Sequence, residues 1–315
     1  MKRRLFNAAL LASASLRVRA DEPSPFEILE FDWADAKRQR PVPVRLYWPR
    51  MDERPVPLVV FSHGIGGSRR GYRYLGEHWS SHGVASLHLQ HVGSDRDLWL
   101  GNPLGLIGRL QDAAQEREAI ERARDLAFAL DQLLAGRFGE RIDPRHIVAA
   151  GHSYGANTTL LAAGARVERA GRSVGLHDER VRAAVLLSAP PFYGEGDPAR
   201  ILGPVQVPTL HVTATGDVIR IPGYWSGAED RIAVFEAIGS RRKALAVFDG
   251  GSHSMFTDRP ATGGAELNPR VKRATQELSL AFLQTAVGQA PLASLAPWVE
   301  RHRAILARHD GLISH

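Results

Sequence analysis

Five residues in the middle of the chain, Gly151-His152-Ser153-Tyr154-Gly155, have the types and the spacing of a turn that presents a reactive serine. An apolar run precedes them and a helix-compatible run follows. A sharp turn from a strand into a helix exposes a hydroxyl at the carboxyl edge of a sheet, and glycines on either side leave room for that turn. We interpret Ser153 as a nucleophile. The alternative is an ordinary serine in a tight turn.

A serine hydroxyl is a poor nucleophile at neutral pH and needs a base within hydrogen-bonding reach. His253 follows the last predicted strand in a glycine-rich loop and is the best candidate for that base. Asp217 lies between Ser153 and His253 in sequence, shortly after another predicted strand, and would hold the imidazole in its productive tautomer. Glu229 and Asp230 are the rival acids, and the other interpretation of Asp217 is a capping or loop acid. The three residues predict acyl transfer through a Ser-His-Asp triad.

Acyl transfer also needs two N–H donors aimed at the developing oxyanion. The N–H of Tyr154, directly after the nucleophile, is the first candidate. The second is expected from the loop His63-Gly64-Ile65-Gly66-Gly67, where we choose the Ile65 N–H and keep Gly64 as the alternative. The other interpretation of this loop is a plain glycine turn.

Loops at the carboxyl edge of such a sheet usually build the substrate pocket, and here they carry apolar side chains. Trp99 lies in the irregular segment 94–110, and Tyr224 and Trp225 follow Asp217. These side chains predict a pocket for a hydrophobic acyl or aryl group. The competing interpretation is that they pack onto the core.

A group of histidines raises the question of a metal site. His78 and His82 are four residues apart on a predicted helix, and His88 and His91 follow. The chain has no cysteine, and Trp79 stands where the zinc-protease motif has its glutamate. We expect these histidines at the surface or in the core, and we expect no metal.

The formal net charge of +6 suggests nucleic-acid binding only at first sight. Residues 1–20 contain five basic side chains and no acid, which leaves +1 for the rest of the chain. A basic surface for phosphate is therefore not expected, and nucleic acid is excluded as a partner. No apolar run approaches the roughly 18 residues that span a bilayer, so we expect no integral membrane association.

The first residues have the pattern of an export signal. Met1-Lys2-Arg3-Arg4 is basic, residues 5–16 are modestly apolar, and Val18-Arg19-Ala20 offers a small-residue cleavage site. Arg3-Arg4-Leu5-Phe6 also resembles a twin-arginine signal. We expect residues 1–20 to be a signal peptide and the mature protein to be periplasmic or secreted. An amphipathic helix in a cytoplasmic protein is the alternative.

Short apolar runs alternate with longer amphipathic segments from about residue 26 onward. The predicted strands are 26–33, 42–48, 57–62, 84–89, 147–150, 181–187, 209–213 and 244–248. The predicted helices are 72–82, 116–134, three that follow residues 155, 229 and 270, and 296–308. This alternation predicts an α/β fold with a mostly parallel central sheet and helices on both faces. No linker or internal repeat is visible, so residues 21–315 are expected to form a single catalytic domain.

Motifs spread over about residues 40–285 resemble one known family. They are Phe61-Ser-His-Gly-Ile-Gly-Gly-Ser68, Tyr74-Leu-Gly-Glu-His78, Ser81-His-Gly83, Val92-Gly-Ser-Asp95, the stretch from Asp125 to Leu133, Gly151 to Gly155, and Ser252-His253. Together they resemble the platelet-activating-factor acetylhydrolase-like group of bacterial α/β-hydrolases. Members of this group are often labelled predicted dienelactone hydrolases and lie near the cutinase-like polyester hydrolases.

This resemblance implies the α/β-hydrolase fold and a serine esterase that needs no metal or organic cofactor. It implies Ser153 as nucleophile and His253 as base, with the oxyanion donors on Ile65 and Tyr154.

The chain departs from the group at three points. Gln90 stands where an Asp is common, Ala156 replaces a second glycine, and no cysteine is present for the disulfide of polyester hydrolases. None of these departures touches the triad.

We expect a carboxylic ester hydrolase that works through an acyl-enzyme, acting on small-molecule, lipid or polyester substrates. A serine peptidase or an acyltransferase would share the triad, and a catalytically inactive binding scaffold is the remaining alternative. The sequence leaves the oligomeric state open.

Overall fold

A computed structural model gives the fold and describes residues 24–50, 55–169, 172–192, 196–221, 224–260, 262–286 and 295–312. The predicted signal peptide lies outside these residues. The strands are β1 (Phe26–Asp35), β2 (Arg40–Pro49), β3 (Val56–Ser62), β4 (Ala85–Leu89), β5 (Ile142–His152), β6 (Arg166–Arg169), β7 (Arg172–Gly175), β8 (Ala183–Leu187), β9 (Thr209–Ala214), β10 (Ile219–Ile221), β11 (Tyr224–Ser226), β12 (Lys243–Phe248) and β13 (Leu306–Asp310). The helices are α1 (Arg73–Ser81), α2 (Leu106–Ala113), α3 (Glu116–Ala135), α4 (Tyr154–Ala162), α5 (Pro198–Leu202), α6 (Ala228–Ala237), α7 (Leu267–Ala286) and α8 (Ala296–His302).

Within the described residues, nine strands form one sheet in the order β1-β2-β4-β3-β5-β8-β9-β12-β13. All neighbours from β4 to β12 are parallel. The pairs at the two ends of the sheet are antiparallel. The strands β6 and β7 form a separate hairpin, and so do β10 and β11. The predicted mostly parallel central sheet is confirmed.

The sheet is buried on both faces, and its central strands contribute apolar side chains to each face. Along β3, Leu58 and Val60 belong to one hydrophobic cluster and Val59 and Phe61 to another, as the alternation of side chains along a strand requires. Helices α3 and α4 contribute to the first cluster, and helices α1 and α7 to the second. The prediction of helices on both faces is therefore confirmed. None of the described helices combines the length and apolar character needed to cross a bilayer.

Parallel pairing places the carboxyl ends of six strands, β4, β3, β5, β8, β9 and β12, along one edge of the sheet. The segments that leave this edge carry the loop 63–67 after β3, Ser153 after β5, Ser188 after β8, Asp217 after β9 and His253 after β12. Residues separated by as many as 190 positions in sequence, from His63 to His253, therefore converge here.

The prediction of one helix over 296–308 is wrong in its second half. Helix α8 ends at His302, and β13 then pairs antiparallel with β12, with Leu306 opposite Phe248. Without this strand the N–H and C=O groups along the outer side of β12 would lack partners, so tertiary pairing overrides the local helical pattern.

The segment 94–110, predicted to be irregular, is also more regular than expected. Helix α2 starts at Leu106 within it. A short turn of 3-10 helix precedes α2, and the Asn102 side chain accepts a hydrogen bond from the Leu104 N–H at its start. The mixed Gly, Pro and apolar sequence hides this start, because the capping residue lies four positions before the α-helix.

Candidate active site

Ser153 occupies the turn between β5 and α4 with φ 55° and ψ −122°, a strained conformation for a residue with a side chain. The flanking glycines allow this turn sterically. A Cβ atom at Gly151 would collide with the backbone of Gly155, and one at Gly155 would collide with the Ser62 carbonyl. The sequence pattern therefore folds into a sharp strand–turn–helix that holds the Ser153 side chain at the sheet edge.

The structure brings the three predicted catalytic side chains together. The Nε2 atom of His253 lies 2.8 Å from Ser153 Oγ, and its Nδ1 atom lies 2.8 Å from Asp217 Oδ1. Asp217 is fully buried, whereas 18% of the His253 side chain is exposed. The geometry fits an imidazole that takes the serine proton at Nε2 while its Nδ1–H donates to the carboxylate.

The Asp217 carboxylate is held by several donors besides His253. The hydroxyls of Ser188 and Thr213 both donate to Oδ2, the latter over 2.7 Å. The buried Arg231 guanidinium lies 3.6 Å from Oδ1. Burial acts to raise the pKa of Asp217, but the hydrogen bond from His253 and the charges of His253 and Arg231, with the Ser188 hydrogen bond, hold it well below its usual range. The carboxylate is therefore ionised at neutral pH.

The rival acids serve the start of helix α6 instead. The Asp230 carboxylate accepts the Gly227 N–H over 3.0 Å and the Ser226 hydroxyl over 2.7 Å. Glu229 lies in the same first turn. Carboxylates are stabilising in the first turn of a helix because they interact with the positive end of the helix dipole. This accounts for the position of both acids in the sequence.

The loop after β3, which lies against Ser153, leaves the Ile65 N–H without a protein acceptor among the described residues. The Gly64 N–H donates to the Tyr72 hydroxyl over 3.2 Å, and the Gly66 N–H donates to the Ser94 carbonyl over 2.8 Å. Among the described residues, the N–H groups of Ile65 and Tyr154 have no protein acceptor. The two donors predicted for the oxyanion are thus the two that the surrounding backbone does not use.

A buried arginine outside the sequence motifs connects this loop to the helix that follows Ser153. Arg122 on α3 donates to the Thr158 hydroxyl over 2.9 Å, to the Ser94 hydroxyl over 2.8 Å and to the His63 carbonyl. Its guanidinium carbon also lies 4.6 Å from the centre of the Tyr154 ring. The position of Arg122 in the middle of a long helix gives no sequence signal for this role.

A second missed contact joins the loop to the histidine. The Tyr72 hydroxyl, which accepts the Gly64 N–H, donates to His152 Nδ1 over 2.8 Å. The opposite ring nitrogen of His152 donates to the His253 carbonyl over 2.9 Å. Burial lowers the pKa of His152 to about 3, so its ring stays neutral and can accept at one nitrogen while donating at the other.

The other histidines that raised the question of a metal take part in ordinary contacts. The buried His91 lies 3.1 Å from Asp125 Oδ2 and 3.0 Å from Ser62 Oγ. The rings of His78 on α1 and of His82, directly after it, lie 4.4 Å apart and are tilted by 46°. The described part of the chain contains no cluster of three His, Asp or Glu side chains arranged to hold a metal ion.

The three predicted pocket residues fall into two places. Trp99 donates from Nε1 to the Gly66 carbonyl over 2.8 Å, so it lies against the loop that carries Ile65, with 45% of its surface exposed. Tyr224 and Trp225 lie on β11 in the hairpin that follows Asp217, and Trp225 is 57% exposed. Trp99 is therefore the pocket candidate with a direct contact to the proposed oxyanion loop.

Comparison with protein-family models and with curated proteins gives no match for this sequence. Comparison with solved structures does. A ferulic acid esterase from Streptomyces cinnamoneus, solved at 2.4 Å resolution, superposes with a TM-score of 0.61 over 85% of this chain and 92% of its own. The two sequences are 23% identical, and at this level of identity the structural similarity indicates a shared fold only. With its sheet order and its sharp turn at Ser153, the chain has the α/β-hydrolase fold.

Proposed function

We propose that this protein is a carboxylic ester hydrolase that works through an acyl-enzyme on Ser153. The observation that carries the proposal is the continuous chain of hydrogen bonds from Ser153 Oγ through His253 to Asp217, each 2.8 Å long. In the first step Ser153 attacks the ester carbonyl and passes its proton to His253. The imidazolium then protonates the departing alcohol, and a water molecule activated by the same imidazole releases the acid.

The tetrahedral intermediates of this reaction carry an oxyanion that needs donors fixed in advance. We assign the N–H groups of Ile65 and Tyr154 to this role. Their lack of a protein acceptor supports the assignment, as does the engagement of the Gly64 N–H by Tyr72. The contacts of Arg122 with the His63 carbonyl and with the Tyr154 ring would keep both donors in place before substrate arrives.

We further propose that the acyl or aryl part of the substrate is hydrophobic and rests against Trp99. Its exposed indole lies beside Gly66, next to the proposed donor Ile65. The esterase with the same fold is named for an aromatic acid, which agrees with an aryl substrate. Export to the periplasm or beyond remains our proposal from residues 1–20.

A fluorophosphonate probe is the direct test of the nucleophile. The probe should form one adduct per chain, and peptide mapping should place it on Ser153, because the neighbouring imidazole makes this hydroxyl reactive. Ser153→Ala should abolish labelling, and Ser173→Ala, at an exposed serine of β7, should label like the wild type. A folded wild-type sample that takes up no probe would favour the inactive binding scaffold instead.

An ester panel separates the competing reaction types. Hydrolysis of p-nitrophenyl esters without cleavage of matched anilides supports the esterase over the peptidase. Product analysis in the presence of added alcohols would reveal transfer to an acceptor other than water. Faster turnover of anilides than of esters would overturn the proposal in favour of a peptidase.

Trp99→Ala should lower kcat/KM for an aryl ester, such as a ferulate or benzoate, by about fivefold to tenfold, the value of one aromatic contact. The same change should leave an acetate ester nearly unaffected, because an acetyl group offers little apolar surface for contact with the indole. Trp225→Ala is the matched comparison, since Trp225 is another exposed tryptophan but lies on the β10–β11 hairpin. Equal effects of Trp99→Ala on both esters would show that the acyl group binds elsewhere.

A further inference from the structure

Ser188 lies at the same sheet edge as Ser153, Asp217 and His253, and its backbone and side chain are both hydrogen-bonded there. It follows the last residue of β8, is fully buried, and has φ 56°, in the left-handed region that side chains rarely adopt. Its N–H donates to the Val212 carbonyl on β9 over 2.7 Å. Strained backbone of this kind persists where the surroundings fix it and is common at functional sites.

The hydroxyl of Ser188 contacts both partners of the Asp217–His253 pair. It donates to Asp217 Oδ2, and its oxygen lies 3.0 Å from His253 Nδ1. The Nδ1 atom is also 2.8 Å from Asp217 Oδ1. Since the hydroxyl proton points to the carboxylate, the lone pairs of Ser188 Oγ are free to face the Nδ1–H group. The imidazole proton is then shared between two acceptors.

We propose that Ser188 is a positioning residue of the triad, which orients the Asp217 carboxylate and fixes the Nδ1–H tautomer of His253. This inference rests on the proposed esterase function. Thr213 donates to the same carboxylate oxygen, but no contact joins it to the imidazole among the described residues. Like Thr213, Ser188 donates a hydrogen bond to Asp217, but it also offers a second acceptor for the Nδ1 proton of His253. This second contact would keep the orientation of the imidazole ring fixed during both proton transfers.

Removal of the hydroxyl provides the first test. Ser188→Ala should lower kcat for a p-nitrophenyl ester by about tenfold with KM unchanged, the expected loss for one hydrogen bond to a charged group. Ser188→Gly should have the same effect and guards against misfolding, because glycine adopts φ 56° without strain. Thr213→Val, which keeps the side-chain shape and removes the other donor to Oδ2, should lower kcat less.

Exchange of the two side chains provides a gain-of-function test. Asp217→Ser alone should lower kcat by about 10⁴-fold. Adding Ser188→Asp should recover at least about tenfold of that loss, because position 188 already reaches Nδ1 and Asp tolerates a left-handed backbone better than most residues. A residue with a merely structural role would change the melting temperature without such rescue.

The inference is overturned if Ser188→Ala and Ser188→Gly fold and keep the wild-type kcat, or if the exchange is no more active than Asp217→Ser. These outcomes differ from a failure of the proposed function. If Ser153→Ala abolishes hydrolysis while the Ser188 variants have full activity, the esterase stands and only the role of Ser188 falls. If Ser153→Ala keeps full activity, the triad itself is wrong.

Discussion

Replacement of Ser153 by alanine is expected to lower kcat for p-nitrophenyl esters by about 10⁴-fold or more. The mutation removes the only hydroxyl to which His253 Nε2 is bonded at the sheet edge, among the described residues, and so removes the acyl-enzyme route. Residual turnover would come from water attacking a substrate held by the oxyanion donors. Steady-state kinetics over a range of ester concentrations, with the enzyme quantified by absorbance, measures the effect.

The fold should survive this change, since alanine keeps the Cβ atom and meets the same backbone strain as serine at φ 55°. Equal melting temperatures for Ser153→Ala and the wild type would show that the loss is chemical. Ser173→Ala on β7 serves as the control for assay and preparation. Turnover by Ser153→Ala at the wild-type rate would refute the catalytic proposal.

Acidification from about pH 7 to about pH 4 is expected to unfold the protein. Five histidines are buried, with at most 3% of their surface exposed: His63, His88, His91, His152 and His211. Burial lowers the pKa of all five, to about 3 in the last two and in His88. The folded state therefore keeps these rings neutral.

A histidine in the unfolded chain titrates near pH 6.5. Below that pH, these imidazoles bind protons in the unfolded chain but remain unprotonated in the folded chain. The contribution of the buried histidines to the free energy of unfolding is fully present above pH 6.5. It decreases as the pH falls, until the pKa values of the folded state are reached. Each ring contributes up to about 1.4 kcal/mol per pH unit. Five rings together can cancel a typical stability of about 5–15 kcal/mol within about two pH units.

The midpoint of thermal unfolding, followed by circular dichroism at a series of pH values, tests this expectation. His211→Gln should make the decline less steep, because one buried ring no longer contributes. His177→Gln, at an exposed histidine, should follow the wild type. A melting temperature that stays constant between about pH 7 and about pH 4 would contradict the linkage to buried histidines.

Strands and helices with a clear local pattern of apolar residues were predictable from the sequence. The run 57–62 is a strand buried on both faces, and 116–134 is a long amphipathic helix, as observed in β3 and α3. The chain beyond His302 was not predictable, because its strand exists only through pairing with β12, whose residues lie about sixty positions away. The two small hairpins β6–β7 and β10–β11 also depend on strand pairing that no local sequence pattern predicts.

The candidate site divides in the same way. Ser153, Asp217 and His253 could be named because each follows a predicted strand in the required order, and the structure brings them within hydrogen-bonding distance. Ser188 also directly follows a strand of the same sheet, but a serine at that place gives no sign that it contacts an acid and a base. Arg122 gives no sign of its role either. Its contacts depend on how α3 crosses the loop after β3, which follows from tertiary packing alone.

The path from Gly64 through Tyr72 and His152 to His253 has a mechanical consequence. Three consecutive hydrogen bonds connect the turn that carries His253 to the loop that carries Ile65. A displacement of either segment would break at least one of these hydrogen bonds, and the Tyr72 and His152 side chains that link them are buried. We therefore expect amide exchange in both segments to slow and quicken together, as in one cooperative unit, so that the machinery is either fully assembled or wholly lost.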